Sequence, residues 1–225
     1  MSVKIQPSIL ACDMARLGDE IKRGEDAGAD SFHLDIMDGH FVPNLTMGPF
    51  VVEACRRSTR LPLDVHLMLD NPEDFIKPFA DAGASSLIFH IEVHPDPRPL
   101  AAEIRRLGVR PGISLNPDAK PESLALCAEC MDLALVMTVF PGFGGQKFIE
   151  DARRNIRGAR DILTAGAEIS VDGGINPDTV AKAASDGANA IVAGTAVFRA
   201  TEGMKAAIDT LRRIADAHYR GKGEG

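Results

Sequence analysis

A junction of fixed layout recurs along this chain and limits what it can fold into. EDAGADSFHLDI, ADAGASSLIFHI, LTAGAEISVDGG and ASDGANAIVAGT each run from a helical tail through glycine and a small residue into a β-rich segment; RRLGVRPGISL is a looser copy. Gly28, Gly83, Gly108, Gly166 and Gly187 each stand where a helix ends on a left-handed residue. Their spacing clusters near one or two multiples of roughly 25 residues, the length of one βα unit.

With the gaps filled, strands are expected near 3–10, 31–36, 62–68, 85–91, 109–115, 132–138, 167–172 and 188–193. Most are near-continuous apolar runs, as in parallel strands buried on both faces. ARLGDEIKRGEDAG, NPEDFIKPFADAG and RPLAAEIRRLG between them are amphipathic. NPED and NPDTV read as helix starts, with Asn as N-cap and Pro at the first helical position. Eight strands alternating with eight helices in 225 residues predict an α/β fold, a single (β/α)8 TIM-barrel domain over 1–225. The tail HYRGKGEG is polar and Gly-rich, and its last ~6 residues are expected to fray. A doubly wound sheet is the structural alternative, but no GxGxxG follows the first strand.

Composition narrows the function classes. A net charge of -7 argues against a nucleic-acid partner. A small anion is still admissible, because backbone N–H groups bind phosphate without basic side chains. No apolar run approaches the ~18 residues of a membrane helix, and the amino terminus carries no secretion-type core. Cys12, Cys55, Cys127 and Cys130 are too few and too scattered for a disulfide framework. These features predict a reduced, cytoplasmic protein. The CAEC pair supplies only two thiolates in a helix-like stretch, which reads as structural rather than metal-binding.

Barrel active sites form at the carboxyl ends of the strands, so polar residues there carry the chemical information. Strand 1 ends at Ser8. In FHLDIMDG the two-residue period puts His33, Asp35 and Met37 on one face; in LDVHLM it pairs His66 with Met68. Strand 6 ends at Met137 and strand 7 at Asp172. Singly, each has an ordinary reading as a core histidine, a turn or a packing methionine. Together, His33, Asp35, His66 and Asp172 would all face one low-dielectric barrel, where charges need partners or a metal. Two imidazoles and two carboxylates suit one borderline divalent ion, Zn2+ or Fe2+ ahead of Mn2+ or Co2+. Asp38 is expected to shape the DGHFVPN loop, Asp64, Glu92 and His94 to face outward or the barrel floor, and His90 to be a bystander. Gly142–Gly145 (with Phe143 and Gly144 between), Gly173–Gly174 and Gly194–Thr195 follow strands 6, 7 and 8 and read together as a phosphate cradle.

At this point QPSILACD, FHLDIMDGHFVPNLTMGP, DVHLM, VMTVFPGFGGQKF, VDGGI and VAGTAVF together resemble the ribulose-phosphate 3-epimerase family across essentially the whole chain. The resemblance implies an isomerase interconverting D-ribulose 5-phosphate and D-xylulose 5-phosphate in the pentose phosphate pathway, acting as a homo-oligomer. It assigns His33, Asp35, His66 and Asp172 to the metal, with Asp35 as proton acceptor and Asp172 as donor. Ser8, His66, Gly142, Phe143, Gly144, Gly145, Asp172, Gly173, Gly174, Gly194 and Thr195 become substrate contacts. Met37, Met68 and Met137 are expected to form an apolar lid that excludes water. The chain departs from the family at Thr195 (usually Ser), Phe140 (usually Asn) and Met47 (usually Phe).

Three rivals remain. A same-fold epimerase of a ketohexose 6-phosphate shares every residue named. A phosphosugar decarboxylase needs a lysine where strand 3 carries His66. A non-catalytic phospholigand-binding barrel would use the glycines without needing two facing carboxylates.

Overall fold

The computed structural model describes residues 2–221. Eight parallel strands form one sheet: β1 (Lys4–Pro7), β2 (Phe32–Met37), β3 (Leu63–Met68), β4 (Ser86–His90), β5 (Arg110–Leu115), β6 (Leu133–Met137), β7 (Glu168–Asp172) and β8 (Ala190–Ala193). The hydrogen-bonded order is β1-β8-β7-β6-β5-β4-β3-β2. The sheet ends, β1 and β2, meet through a parallel bridge between Ser8 and His33 and through Asp30, whose N–H donates to the Ile5 carbonyl. This nearly closed barrel is the expected fold. The first strand is shorter than expected, because the chain turns into a 3-10 helix at Ile9–Ala11.

Outside the barrel lie α1 (Leu17–Asp26), α2 (Pro49–Ser58), α3 (Ile76–Asp81), α4 (Arg98–Arg106), α5 (Arg153–Ile162), α6 (Val180–Ser185), the short α7 (Thr195–Phe198) and α8 (Met204–His218). One expected helix is absent. The β5–β6 crossover is a 3-10 helix, Pro121–Leu126, packed where α5 carries Gly158; any side chain there would collide with Pro121. CAEC therefore sits in turns, not a helix, and the thiols of Cys127 and Cys130 donate to the Leu124 and Cys127 carbonyls. NPED opens with a 3-10 helix at Pro72–Phe75 before α3. In NPDTV the Asn176 side chain accepts from the Asp178 and Thr179 N–H groups, and α6 starts only at Val180.

Gly28, Gly83, Gly108 and Gly187 have φ of 94°, 101°, 77° and 106°, as the repeated junction requires. Gly166 is an exception, with no positive φ: α5 has already ended, and Leu163 takes an extended conformation (ψ 162°). The tail expected to fray falls mostly on residues 222–225, outside the described residues; at its start, the Arg220 N–H donates to the Ala184 carbonyl.

Alternation sorts each strand. Phe32, Leu34 and Ile36 join the large core beneath the helices, while His33, Asp35 and Met37 alternate with them on the opposite face. Ile88, Leu133, Leu135, Met137 and Val192 form a smaller cluster inside the barrel. Gly112 sits here because a Cβ would stand 2.8 Å from Ile88 and 2.9 Å from Leu133. Asp64, one of the ambiguous residues, belongs to the floor. It accepts from Gln6 Nε2 at 2.9 Å, Ser31 Oγ at 2.7 Å and Ser86 Oγ at 2.5 Å. Glu168 also accepts from Gln6, and Lys4 pairs with Glu168 at 2.6 Å.

Asp64→Ala would strand these buried donors, each at a cost of about 1–3 kcal/mol. We expect urea denaturation to show a loss of at least about 3 kcal/mol. A loss below about 1 kcal/mol would contradict the assigned role of the floor cluster.

Candidate active site

The register of the sheet assembles the site. Asp35 and His66 are opposite partners in the β2–β3 ladder, and Met137 and Asp172 are partners in the β6–β7 ladder. Bridging of Ser8 to His33 brings β1 into the same group. As a result His33, Asp35, His66 and Asp172 each offer a ligand atom within 4.8 Å of the others. All are buried except Asp172, which is partly open.

Asp35 is the hub. Its Oδ1 lies 3.2 Å from His33 Nε2 and 3.3 Å from His66 Nδ1, and its Oδ2 accepts from Ser8 Oγ at 2.6 Å. Thr46, not anticipated from the sequence, donates to the Asp35 carbonyl at 2.6 Å and accepts from the Met37 N–H. Asp172 is steadied through its backbone: Thr138 N–H donates to its carbonyl at 2.7 Å. Asp38 shapes its loop as expected, accepting from the N–H groups of His40, Phe41 and Asp70. His90 is no bystander, since its Nε2 stands 2.8 Å from His66 Nε2.

A cavity of about 850 Å³ opens over this cluster. Ser8, Asp35, Met37, Met68, Met137, Gly142–Gly145, Asp172–Gly174, Gly194 and Thr195 all line it. His33 and His66 do not; both are buried behind the two carboxylates, so His66 is placed against Asp35 rather than on the cavity surface. The three methionines are at most 3% exposed at strand ends, which makes them a fixed apolar wall instead of a lid.

The glycine turns after β6 and β7 are tied together. Thr138 Oγ1 donates to the Gly173 carbonyl at 2.5 Å, and a Cβ on Gly174 would collide with the Phe148 backbone. Gln146 Nε2 braces the Phe140 and Phe143 carbonyls at 2.7 and 2.9 Å, and Asn44 Nδ2 reaches across to the Gly142 carbonyl at 2.6 Å. Around Gly144 and Gly145 the space where a side chain would lie is open, which leaves backbone accessible. Lys147 and Arg199 also line the cavity, and neither stood out in the sequence. The departure Phe140 is 51% exposed and makes no enclosed contact here, and Phe143 beside it is 58% exposed.

Electrostatics separate the two carboxyls. Burial alone raises the pKa of Asp35, but the His33 charge and hydrogen bonds from His33 and His66 outweigh it and hold Asp35 ionised. Burial and the Asp35 charge push Asp172 up to about 7. Burial disfavours charge on His33, yet Asp35 beside it raises that imidazole to about 9. Burial takes His66 down to about 3 despite its hydrogen bond to Asp35.

Known proteins with this sequence pattern decide the family. A sequence model described as the ribulose-phosphate 3 epimerase family matches residues 4–198. The chain belongs to the ribulose-phosphate 3-epimerase family. A protein of Oryza sativa subsp. japonica named ribulose-phosphate 3-epimerase, cytoplasmic isoform, is 47% identical over 205 residues, spanning 89% of this chain and 90% of that one. The ribulose-phosphate 3-epimerase of Bacillus subtilis (strain 168) is 45% identical over 213 residues, 91% of this chain and 96% of its own. Among solved structures, KGPDC from Streptococcus mutans superposes with a TM-score of 0.70 at 13% identity, covering 98% of this chain and 100% of that chain. Mycobacterium tuberculosis tryptophan synthase gives 0.68 at 16% identity, over 96% and 93%. Identities that low show the shared barrel alone. No helix among the described residues is long and apolar enough to cross a membrane.

The four clustered residues fit a divalent cation on physical grounds. Tetrahedral Zn2+ with bonds near 2.1 Å needs donors roughly 3.4 Å apart, within reach of small side-chain shifts from the observed cluster. Two carboxylates and two imidazoles share the pocket. Close carboxylates with neutral nitrogen donors beside them call for a cation.

Ligation requires Asp172 and His33 to lose their protons, and those groups titrate near 7 and 9 in the ion-free protein. Metal affinity is therefore expected to rise with pH up to about 9, and uptake at a pH below 7 to release protons. Calorimetry in buffers of different ionisation enthalpy measures that release. Zinc binding without it would contradict the protonation states assigned here.

Proposed function

We propose that this protein interconverts D-ribulose 5-phosphate and D-xylulose 5-phosphate by inverting C3. The reading rests on one observation above the rest: Asp35 and Asp172, from β2 and β7, close on one cavity with opposite protonation preferences. Epimerisation beside a ketone removes a hydrogen from one face and returns a proton to the other, which needs one base and one acid. Asp35, held ionised, accepts the C3 proton; Asp172, biased toward the protonated form, supplies one to the opposite face. The roles exchange in the reverse direction. A divalent ion held by His33, Asp35, His66 and Asp172, Zn2+ or Fe2+ ahead of Mn2+ or Co2+, would polarise the ketone as a Lewis acid.

Ser8 fixes the orientation of the Asp35 carboxylate through its 2.6 Å hydrogen bond. Gly142–Gly145, Gly173–Gly174 and Gly194–Thr195 present backbone N–H groups to the phosphate. Met37, Met68 and Met137 leave the reacting carbon an apolar wall that keeps water from the carbanionic intermediate. Free cysteines are consistent with a cytoplasmic setting. Leu45 and Phe50, 75% and 74% exposed, would be covered in a homo-oligomer.

In D2O the protein should turn ribulose 5-phosphate into xylulose 5-phosphate carrying deuterium at C3. Asp35→Asn and Asp172→Asn should each lower turnover by about 10²- to 10⁴-fold with the circular dichroism spectrum unchanged. Binding without exchange would replace the reading with a non-catalytic one. A kcat/KM higher for a ketohexose 6-phosphate would move it to the larger sugar.

A further inference from the structure

Behind His66 runs a chain of hydrogen bonds that the proposed reaction does not use. His66 Nε2 lies 2.8 Å from His90 Nε2, and His90 Nδ1 lies 3.1 Å from Glu92 Oε2. The other Glu92 oxygen accepts from the Asn116 N–H at 2.8 Å. His90 is fully buried, its ring meeting that of His66 edge to edge with centroids 5.0 Å apart, and the Phe41 ring lies 4.5 Å away. It has no freedom to turn. Glu92 lies at the surface, with 29% of its side chain exposed.

Between two imidazoles joined nitrogen to nitrogen, a single shared proton can point either way. Carboxylates stand at both ends, Asp35 at His66 and Glu92 at His90, and a cation held beside Asp35 decides between them. A bare His90 Nδ1 facing Glu92 would set a lone pair against a carboxylate, so His90 Nδ1–H donates to Glu92. That leaves His90 Nε2 as the acceptor, and His66 Nε2–H donates to it. His66 Nδ1 is then a lone pair, 3.3 Å from Asp35 Oδ1, itself an acceptor. With a cation between them, that lone pair and the carboxylate both face the ion, in place of the hydrogen bond His66 makes to Asp35 without it.

We propose that Glu92 and His90 are positioning residues that fix the tautomer of His66 so that its Nδ1 is presented to a divalent metal. Neither touches the substrate cavity. The inference rests on the reading of His33, Asp35, His66 and Asp172 as a metal site and adds what orders one of its ligands. Outer hydrogen bonds of this kind typically carry about 10- to 100-fold in metal affinity.

Glu92→Gln tests it because the amide inverts the chain. The Asn116 N–H still needs an acceptor and takes the Gln carbonyl, which turns the amide NH2 toward His90 Nδ1. His90 then donates from Nε2, and His66 carries its proton on Nδ1, against the metal. Competition with a chromophoric chelator should show Zn2+ held about 10- to 100-fold more weakly than by the wild type, with unchanged melting of the metal-free protein. Glu92→Asp, which keeps the carboxylate, should recover most of the affinity. In the unaltered zinc-loaded protein, 15N NMR should find His66 protonated at Nε2 and His90 at Nδ1. Equal zinc affinity in Glu92→Gln, or His66 protonated at Nδ1 in the zinc-loaded wild type, would overturn the proposal and leave the metal site standing. A wild type that binds no divalent ion would remove both.

Discussion

Two carboxylates held within 4.8 Å of each other in a buried pocket are the constraint around which this molecule is arranged. At an effective dielectric near 20, like charges at such a separation repel by roughly 3–4 kcal/mol. That is a sizeable fraction of the ~5–15 kcal/mol by which a folded domain is stable. The strain has two exits: one carboxyl keeps a proton, or a cation sits between them. The pocket is built for both. Asp172 is biased toward its acid form, and His33 and His66 stand ready beside Asp35.

The barrel separates stability from chemistry along its axis. At the floor, the carboxyls of Asp64 and Glu168 accept hydrogen bonds from Gln6, serine hydroxyls and Lys4. Above them an apolar plug of Ile88, Leu135 and Val192 closes the interior. At the rim the same inward-facing positions reach His66 on β3, His90 on β4 and Asp172 on β7. One strand period therefore serves both ends: Asp64, His66 and Met68 are successive inward residues of β3, with a structural, a ligand-type and a wall position.

Much of this was legible in the chain. Strands buried on both faces leave apolar runs, and all eight were placed to within a few residues. The rim residues stood out because Ser8, Asp35, His66 and Asp172 interrupt or end such runs. Harder to read were features set by contacts distant in sequence. The missing helix before β6 reflects packing of Pro121 on Gly158, and the early end of α5 at Ile162 displaced Gly166 from its expected role. The links from Asn44 to Gly142 and from His90 to His66 join separate βα units, and periodicity within one strand carries no trace of them. Nor could the sequence separate a methionine lid from a methionine wall, which depends on burial alone.

The claim that two acids work from opposite faces is tested most directly by a half-reaction. Asp172→Asn, incubated with ribulose 5-phosphate in D2O, retains Asp35 and loses the opposing proton donor. The recovered ribulose 5-phosphate should gain deuterium at C3 while xylulose 5-phosphate stays absent. Xylulose 5-phosphate formed at near-normal rate by that variant would contradict the two-carboxylate account.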